Sequence, residues 1–254
     1  MTAIDSGASG LPDRVAALLP AFLARRLAVL GNPGFRRLLV ARSVSKFGDG
    51  LYSVAAMWLV YDLTGSTAYT GLAGVLSRAP GVFKLLVGPL VDRASLDRVL
   101  TYSEVVQGLV VLAVPAAAVL GRLDVALVLA VMPLLALSNL FAGPAQTAAM
   151  PRLVDEDRLV RANSVASVVS KTVDTTSNAV AGALVAFAGG VAVYVVDAVT
   201  FAVAALAFAS LSVPTRPTEG DLAVGNYLAD LRAGVSLLAG SVAGRMLVDR
   251  KSVV

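Results

Sequence analysis

Long apolar stretches separated by short polar turns dominate the chain. They run over about 38–61, 69–90, 99–120, 125–147, 162–188 and 191–213. Blocks of roughly 20 apolar residues without strong amphipathic alternation are the signature of membrane-crossing helices. The pattern therefore predicts an all-α, polytopic membrane protein with six transmembrane helices. The intervening turns are rich in breakers: Asp62-Leu63-Thr64-Gly65-Ser66, Gly121-Arg122-Leu123-Asp124 and Gly189-Gly190. Pro80-Gly81, Pro115, Pro133 and Pro144 are expected to kink their helices, because each proline removes a backbone donor.

The flanks follow other patterns. Residues 1–10 are small and polar, but from Leu11 the positions Leu11, Val15, Leu18, Leu19, Phe22, Leu23, Leu27 and Leu30 recur at helical spacing with Arg14, Arg25 and Arg26 among them. That reads as a helix lying on the membrane surface. A cleaved signal peptide fits less well, since Pro20 interrupts the apolar run and Arg25-Arg26 follow it. Beyond the last stretch, Pro214-Thr215-Arg216-Pro217 breaks the helix, 221–240 reads as a second surface helix, and Arg245-Met246-Leu247-Val248 resembles the start of an incomplete seventh span. The expected division is a 1–34 tail, a 35–213 bundle and a 214–254 cytoplasmic segment.

Composition strengthens this picture. Of 254 residues 57% are hydrophobic and 15% charged, with mean hydropathy +0.79. Soluble domains carry about 25% charged residues. Absence of His and Cys excludes disulfides, thiolate nucleophiles, Cys/His zinc sites and imidazole triads, including an intramembrane Ser/His protease. Neither enzymatic activity nor a cofactor is expected. The net charge of +4 reflects topology rather than affinity for nucleic acid, because fifteen Lys and Arg outside the spans fall on one side and Arg122 alone on the other. This places both termini in the cytoplasm.

Charges inside the spans are the candidate chemistry, since each costs about 2.5–3.5 kcal/mol at mid-membrane against about 0.3–0.6 gained per Leu or Val. In the first span Arg42, Lys46, Asp49 and Ser53 lie at i, i+4, i+7 and i+11, on one face. Asp49 is the leading candidate for a coupling-ion or cationic-substrate carboxylate. The bland alternative is a structural Lys46–Asp49 pair with Arg42 reaching to the headgroups. In the fifth span Asn163, Ser167, Lys171, Asp174 and Asn178 form another stripe, too polar for lipid. It is either a face sliding against another bundle or the seat of a buried Lys171–Asp174 pair. The second span presents Ser77, Gly81, Lys84, Gly88 and Asp92, with Arg78 adjacent. Glu104, with Gln107 on the same face, is either a coupling candidate or a group that only reaches the interface. Asp197, three residues after Tyr194, is either a proton carrier or a hydrogen-bonded structural group. Asn139 and Gln146 are candidates for lining a cavity. The small residues of the last two spans are expected to permit close helix packing.

Between the second and third spans, Gly88, Leu90, Asp92 and Arg93 fit the form G-x-L-x-D-R, which resembles the signature of the major facilitator superfamily of secondary transporters. The following Ser95-Leu96-Asp97-Arg98 lacks that signature's second Gly and basic pair and leaves a single displaced Arg. Phe35-Arg36-Arg37-Leu38-Leu39 with Phe47-Gly48-Asp49-Gly50, Tyr61-Asp62-Leu63-Thr64-Gly65-Ser66, and Met150-Pro151-Arg152-Leu153-Val154 with Arg161-Ala162-Asn163-Ser164 look like the drug-efflux and siderophore-export branch.

The resemblance implies a fold of two six-helix halves, each a 3+3 repeat, with substrate held between them near the midplane. This chain would be the N-terminal half of a truncated frame, completed by a missing C-terminal half or by a second copy. The implied activity is efflux of a small hydrophobic or siderophore-like molecule across the plasma membrane, coupled to protons. Membrane lipid and the small-molecule substrate would be its partners. The helix-five stretch Ser177-Asn178-Ala179-Val180-Ala181-Gly182 has no Pro and one Gly, a departure from the antiporter pattern. The alternative is a non-transporting six-helix remnant or regulatory subunit. Gly88, Asp92, Arg93 and Arg98 would form a gating loop. Asp92 at a helix C-terminus needs a basic partner, which the resemblance places in the second half. Without that half, Asp92 should be solvated or paired with Arg93 or Arg98.

Overall fold

The computed structural model describes residues 28–83, 87, 91 and 94–214. Lys84, Gly88, Asp92 and Arg93, the 221–240 helix, the seventh span and most of the N-terminal surface helix lie outside them. Every element among the described residues is helical, so the protein is all-α as the periodicity predicts.

Helix α1, Pro33–Thr64, begins where Asn32 accepts the Phe35 N–H at 3.0 Å and Pro33 occupies a position whose missing N–H is no loss. It ends at Gly65, left-handed at φ 62°, whose N–H bonds the Tyr61 carbonyl. Helix α2, Thr67–Arg78, tightens into the 3-10 turn Ala79–Phe83 at Pro80. The third apolar run is two helices, α3 Leu96–Val111 and α4 Ala113–Val119, broken at Leu112 ahead of Pro115. Asp124 accepts the Leu127 N–H at 2.7 Å and starts α5, Val125–Leu153, which runs unbroken through Pro133 and Pro144. Helices α6, Leu159–Ala188, and α7, Gly190–Ala209, meet at Gly189.

Among the described residues three units, Leu96–Val119, α5 and α7, are long and apolar enough to cross a membrane. At 32 residues α1 is about 48 Å long, more than a hydrocarbon core of about 30 Å. Its polar face and that of α6 set these two helices apart.

Helix α1 is central and packs on α7, α6, α5 and α2, while α3 lies against α7 and α5. The core divides into two apolar clusters. One gathers Phe35, Leu38, Leu96, Leu100 and Phe208; the other gathers Leu51, Ala55, Val114, Met132, Tyr194 and Phe201. Where they meet, α1 contributes Ser45 and Gly48, α3 contributes Ser103, Glu104 and Gln107, and α7 contributes Asp197, all buried. A polar layer crosses the middle of the bundle.

Candidate functional site

Two glycines set the spacing of this layer. A Cβ at Gly48 would collide with Thr200 Oγ1 and Asp197 Oδ1, and one at Gly50 with Ser177 Oγ. Helices α7 and α6 therefore approach α1 more closely than any side chain at those positions would allow.

The charged face of α1 does not pair within its own helix. Lys46 Nζ lies 2.9 Å from Asp174 Oδ1 on α6. This goes against both in-helix pairs given as alternatives, Lys46–Asp49 and Lys171–Asp174. The physical reason is that α1 and α6 pack face to face, bringing Asp174 to Lys46, while Asp49 borders a cavity that Asn139 of α5 also lines.

Half-buried Asp49 opens onto a cavity of about 550 Å³ between α1, α2 and α5. Tyr52, Ser53, Ser77, Arg78 and Asn139 supply polar groups to its wall, and Met57, Met132 and Leu135 supply apolar surface. A mostly pre-formed space of a few hundred Å³ with few convergent polar groups suits a small organic ligand. Asn139 lines it as expected. Gln146 is not part of this wall.

Behind Asp49 lies the buried layer. Glu104 is fully buried and accepts the Ser45 hydroxyl at 3.0 Å. The alternative in which Glu104 only reaches the interface is corrected: α3 begins at Leu96, which places Glu104 well inside the bundle and facing α1. Gln107 Nε2 donates to the Ser103 carbonyl at 3.1 Å. Asp197, also fully buried, accepts from Thr200 Oγ1 at 3.3 Å, and the same hydroxyl reaches the Asp197 carbonyl at 2.8 Å. The Tyr52 and Tyr194 rings meet edge to face with centroids 5.4 Å apart. Glu104 Oε2, Gln107 Oε1, Asp197 Oδ2 and both tyrosine hydroxyls have no hydrogen-bond partner.

No salt bridge reaches Glu104 or Asp197 among the described residues. An anion there would have one hydroxyl partner and no countercharge, which protein interiors tolerate poorly. No group of metal-ligating side chains suited to a metal ion occurs among the described residues.

The remaining candidates sit elsewhere. Arg42 and Lys171 line a smaller cavity between α1, α5 and α6, while Asn178 is exposed farther along α6. Arg98 is exposed beside an apolar groove with Tyr102 and Phe141, away from Asp49. The other gating-loop residues, Gly88, Asp92 and Arg93, lie outside the described residues. Sequence reasoning missed Ser45 and Tyr52. Their signal was present: Ser45, Gly48 and Tyr52 at i, i+3 and i+7 make a second small-and-polar face beside the charged one.

Residues 24–253 match the family described as transmembrane secretion effectors, a family of the MFS group. The chain is also 22% identical over 161 residues to the uncharacterized MFS-type transporter YfmI of Bacillus subtilis strain 168. That alignment covers 62% of this chain and 40% of the relative.

Proposed function

The chain belongs to the transmembrane secretion effector family of major facilitator transporters, and from that premise we propose that it forms a six-helix bundle of a secondary active exporter. It is an integral membrane protein. The observation that carries the reading is the 550 Å³ cavity with Asp49 on its wall, backed by Glu104 and Asp197 in the buried layer of the bundle. Charged groups at such depth mark ion and substrate paths.

In this reading the bundle comprises residues 35–213 and crosses the plasma membrane six times with both termini in the cytoplasm. The cavity takes a small, largely hydrophobic molecule. Asp49 exchanges a proton with the substrate step, and Glu104 and Asp197 extend the acidic path behind it. A second six-helix unit, a C-terminal half or another copy, faces the exposed polar stripe of α6. Rocking of the two units then gives alternating access. Gly88, Asp92, Arg93 and Arg98 serve as the gate at one end.

The test is gradient-driven flux. Membrane vesicles carrying the full 254-residue chain should move a lipophilic dye when a pH gradient is imposed. Asp49→Asn should abolish that movement at unchanged protein level. Equal flux in vesicles with and without the protein would rule out completion by a second copy, and equal flux again when a C-terminal six-helix unit is co-expressed would sink the reading; equal flux in wild type and Asp49→Asn would remove Asp49 from the coupling role.

A further inference from the structure

The cavity between α1, α5 and α6 encloses about 250 Å³ and is bordered by Arg42, Asn163, Ser167, Ser170 and Lys171. Its charge is one-sided. Arg42 from α1 and Lys171 from α6 both border it, and no Asp or Glu does. The nearest carboxylate along α6 is Asp174, three residues past Lys171, and it is held by Lys46 at 2.9 Å. Neither the Arg42 nor the Lys171 side chain forms an ion pair or hydrogen bond among the described residues.

The hydroxyls add a second, independent observation. Along α6 the side chains of Ser164, Thr172, Thr175, Thr176 and Ser177 each donate to a carbonyl of their own helix. This is the ordinary resting bond of a helical Ser or Thr. Ser167 and Ser170, the two that border the cavity, make no such bond, and Asn163 is likewise uncommitted. Two cations, two free hydroxyls and one amide thus converge on one space. A guanidinium offers a planar fork of donors that matches an oxyanion, and an ammonium adds a point charge.

We propose that this cavity binds an oxyanion of the phosphate or phosphodiester class, with Arg42 and Lys171 as its charged ligands and Ser167, Ser170 and Asn163 as hydrogen-bond donors. The chemistry is shared by an anionic lipid headgroup and a soluble phosphate. The site is separate from the Asp49 cavity, which opens between α1, α2 and α5. It does not depend on transport, and a binding assay reads it without any gradient.

The experiment uses the full chain in nanodiscs and has two arms. In discs of phosphatidylcholine alone, inorganic phosphate is titrated and read by calorimetry. In discs containing phosphatidylglycerol, retained anionic lipid is read by native mass spectrometry. Saturable binding in the first arm identifies a soluble ligand, and retention in the second identifies a headgroup; either supports the site. Arg42→Gln/Lys171→Gln should weaken it by about tenfold or more, as expected for losing charge-assisted hydrogen bonds. Arg42→Lys/Lys171→Arg should keep most of the binding, and Ser167→Ala/Ser170→Ala, which removes no charge, should weaken it severalfold. Binding should also fall as salt rises. Absence of saturable binding in both arms, or binding that Arg42→Gln/Lys171→Gln leaves unchanged, overturns the proposal.

Discussion

Lys46 on α1 and Asp174 on α6 are 128 positions apart in the chain, yet their charged atoms lie 2.9 Å from each other. The bridge ties the central helix to α6 and gives Asp174 a partner other than Lys171. It leaves Asp49 free to face the cavity and Lys171 free to face the smaller one.

Because the two side chains are 32% and 41% exposed, the bridge should contribute modestly, about 0.5–1 kcal/mol. A double-mutant cycle of Lys46→Met and Asp174→Asn, read by unfolding in detergent, should return a coupling of that size that shrinks with added salt. The matching cycle of Lys46→Met with Asp49→Asn should return a smaller value. A larger coupling in the second cycle would restore the in-helix pair.

Ser45 supplies the hydroxyl that satisfies one oxygen of Glu104 at 3.0 Å. Ser45→Ala should leave the whole buried carboxyl without a partner and cost about 1–3 kcal/mol. Adding Glu104→Leu to Ser45→Ala should recover part of that loss, since both polar partners are then gone. Unfolding midpoints of the wild type and the two variants check it, and an unaltered midpoint for Ser45→Ala would contradict the buried contact.

Gly50→Ala should destabilise the bundle by about 1–3 kcal/mol through overpacking against Ser177. Ser177→Gly should rescue it in the double variant. Gly182→Ala, in the same helix pair but with nothing within 4 Å of its added methyl, should instead be neutral or stabilise by about 0.5–1 kcal/mol. Equal effects at the two glycines would mean that α1 and α6 are not in close contact.

Asn139→Ala removes the α5 amide that shares the cavity wall with Asp49. Flux in vesicles should fall while thermal stability changes by less than about 1 kcal/mol, because Asn139 is exposed to the cavity and buries little surface. Asn139→Asp places a second carboxyl beside Asp49 and should shift the pH profile of flux. An unchanged profile would separate Asn139 from the coupling group.

The helical class was legible because it depends on local quantities. The run length of apolar residues sets a span, Pro115 breaks the third run at Leu112, and Asn32, Gly65 and Asp124 cap their helices through bonds to backbone groups three or four residues away. Periodicity likewise showed that Arg42, Lys46, Asp49 and Ser53 share a face. It did not show which neighbour that face would meet. Glu104 illustrates the gap, because its distance from a presumed membrane edge suggested the interface, whereas packing against α1 buried it completely.

The sequence by itself thus determined that this protein is all-α, built from long apolar helices, and that a few charges are placed inside them at helical spacing. Only the tertiary structure decided the neighbours: Lys46 with Asp174, Ser45 with Glu104, Asn139 on one cavity wall with Asp49, and Arg42 beside Lys171. The reason is geometric. A helix face spans roughly 100° and holds several groups within reach of one another. Their choice among in-helix and cross-helix partners is settled by how closely α6 and α7 approach α1, which Gly48 and Gly50 permit.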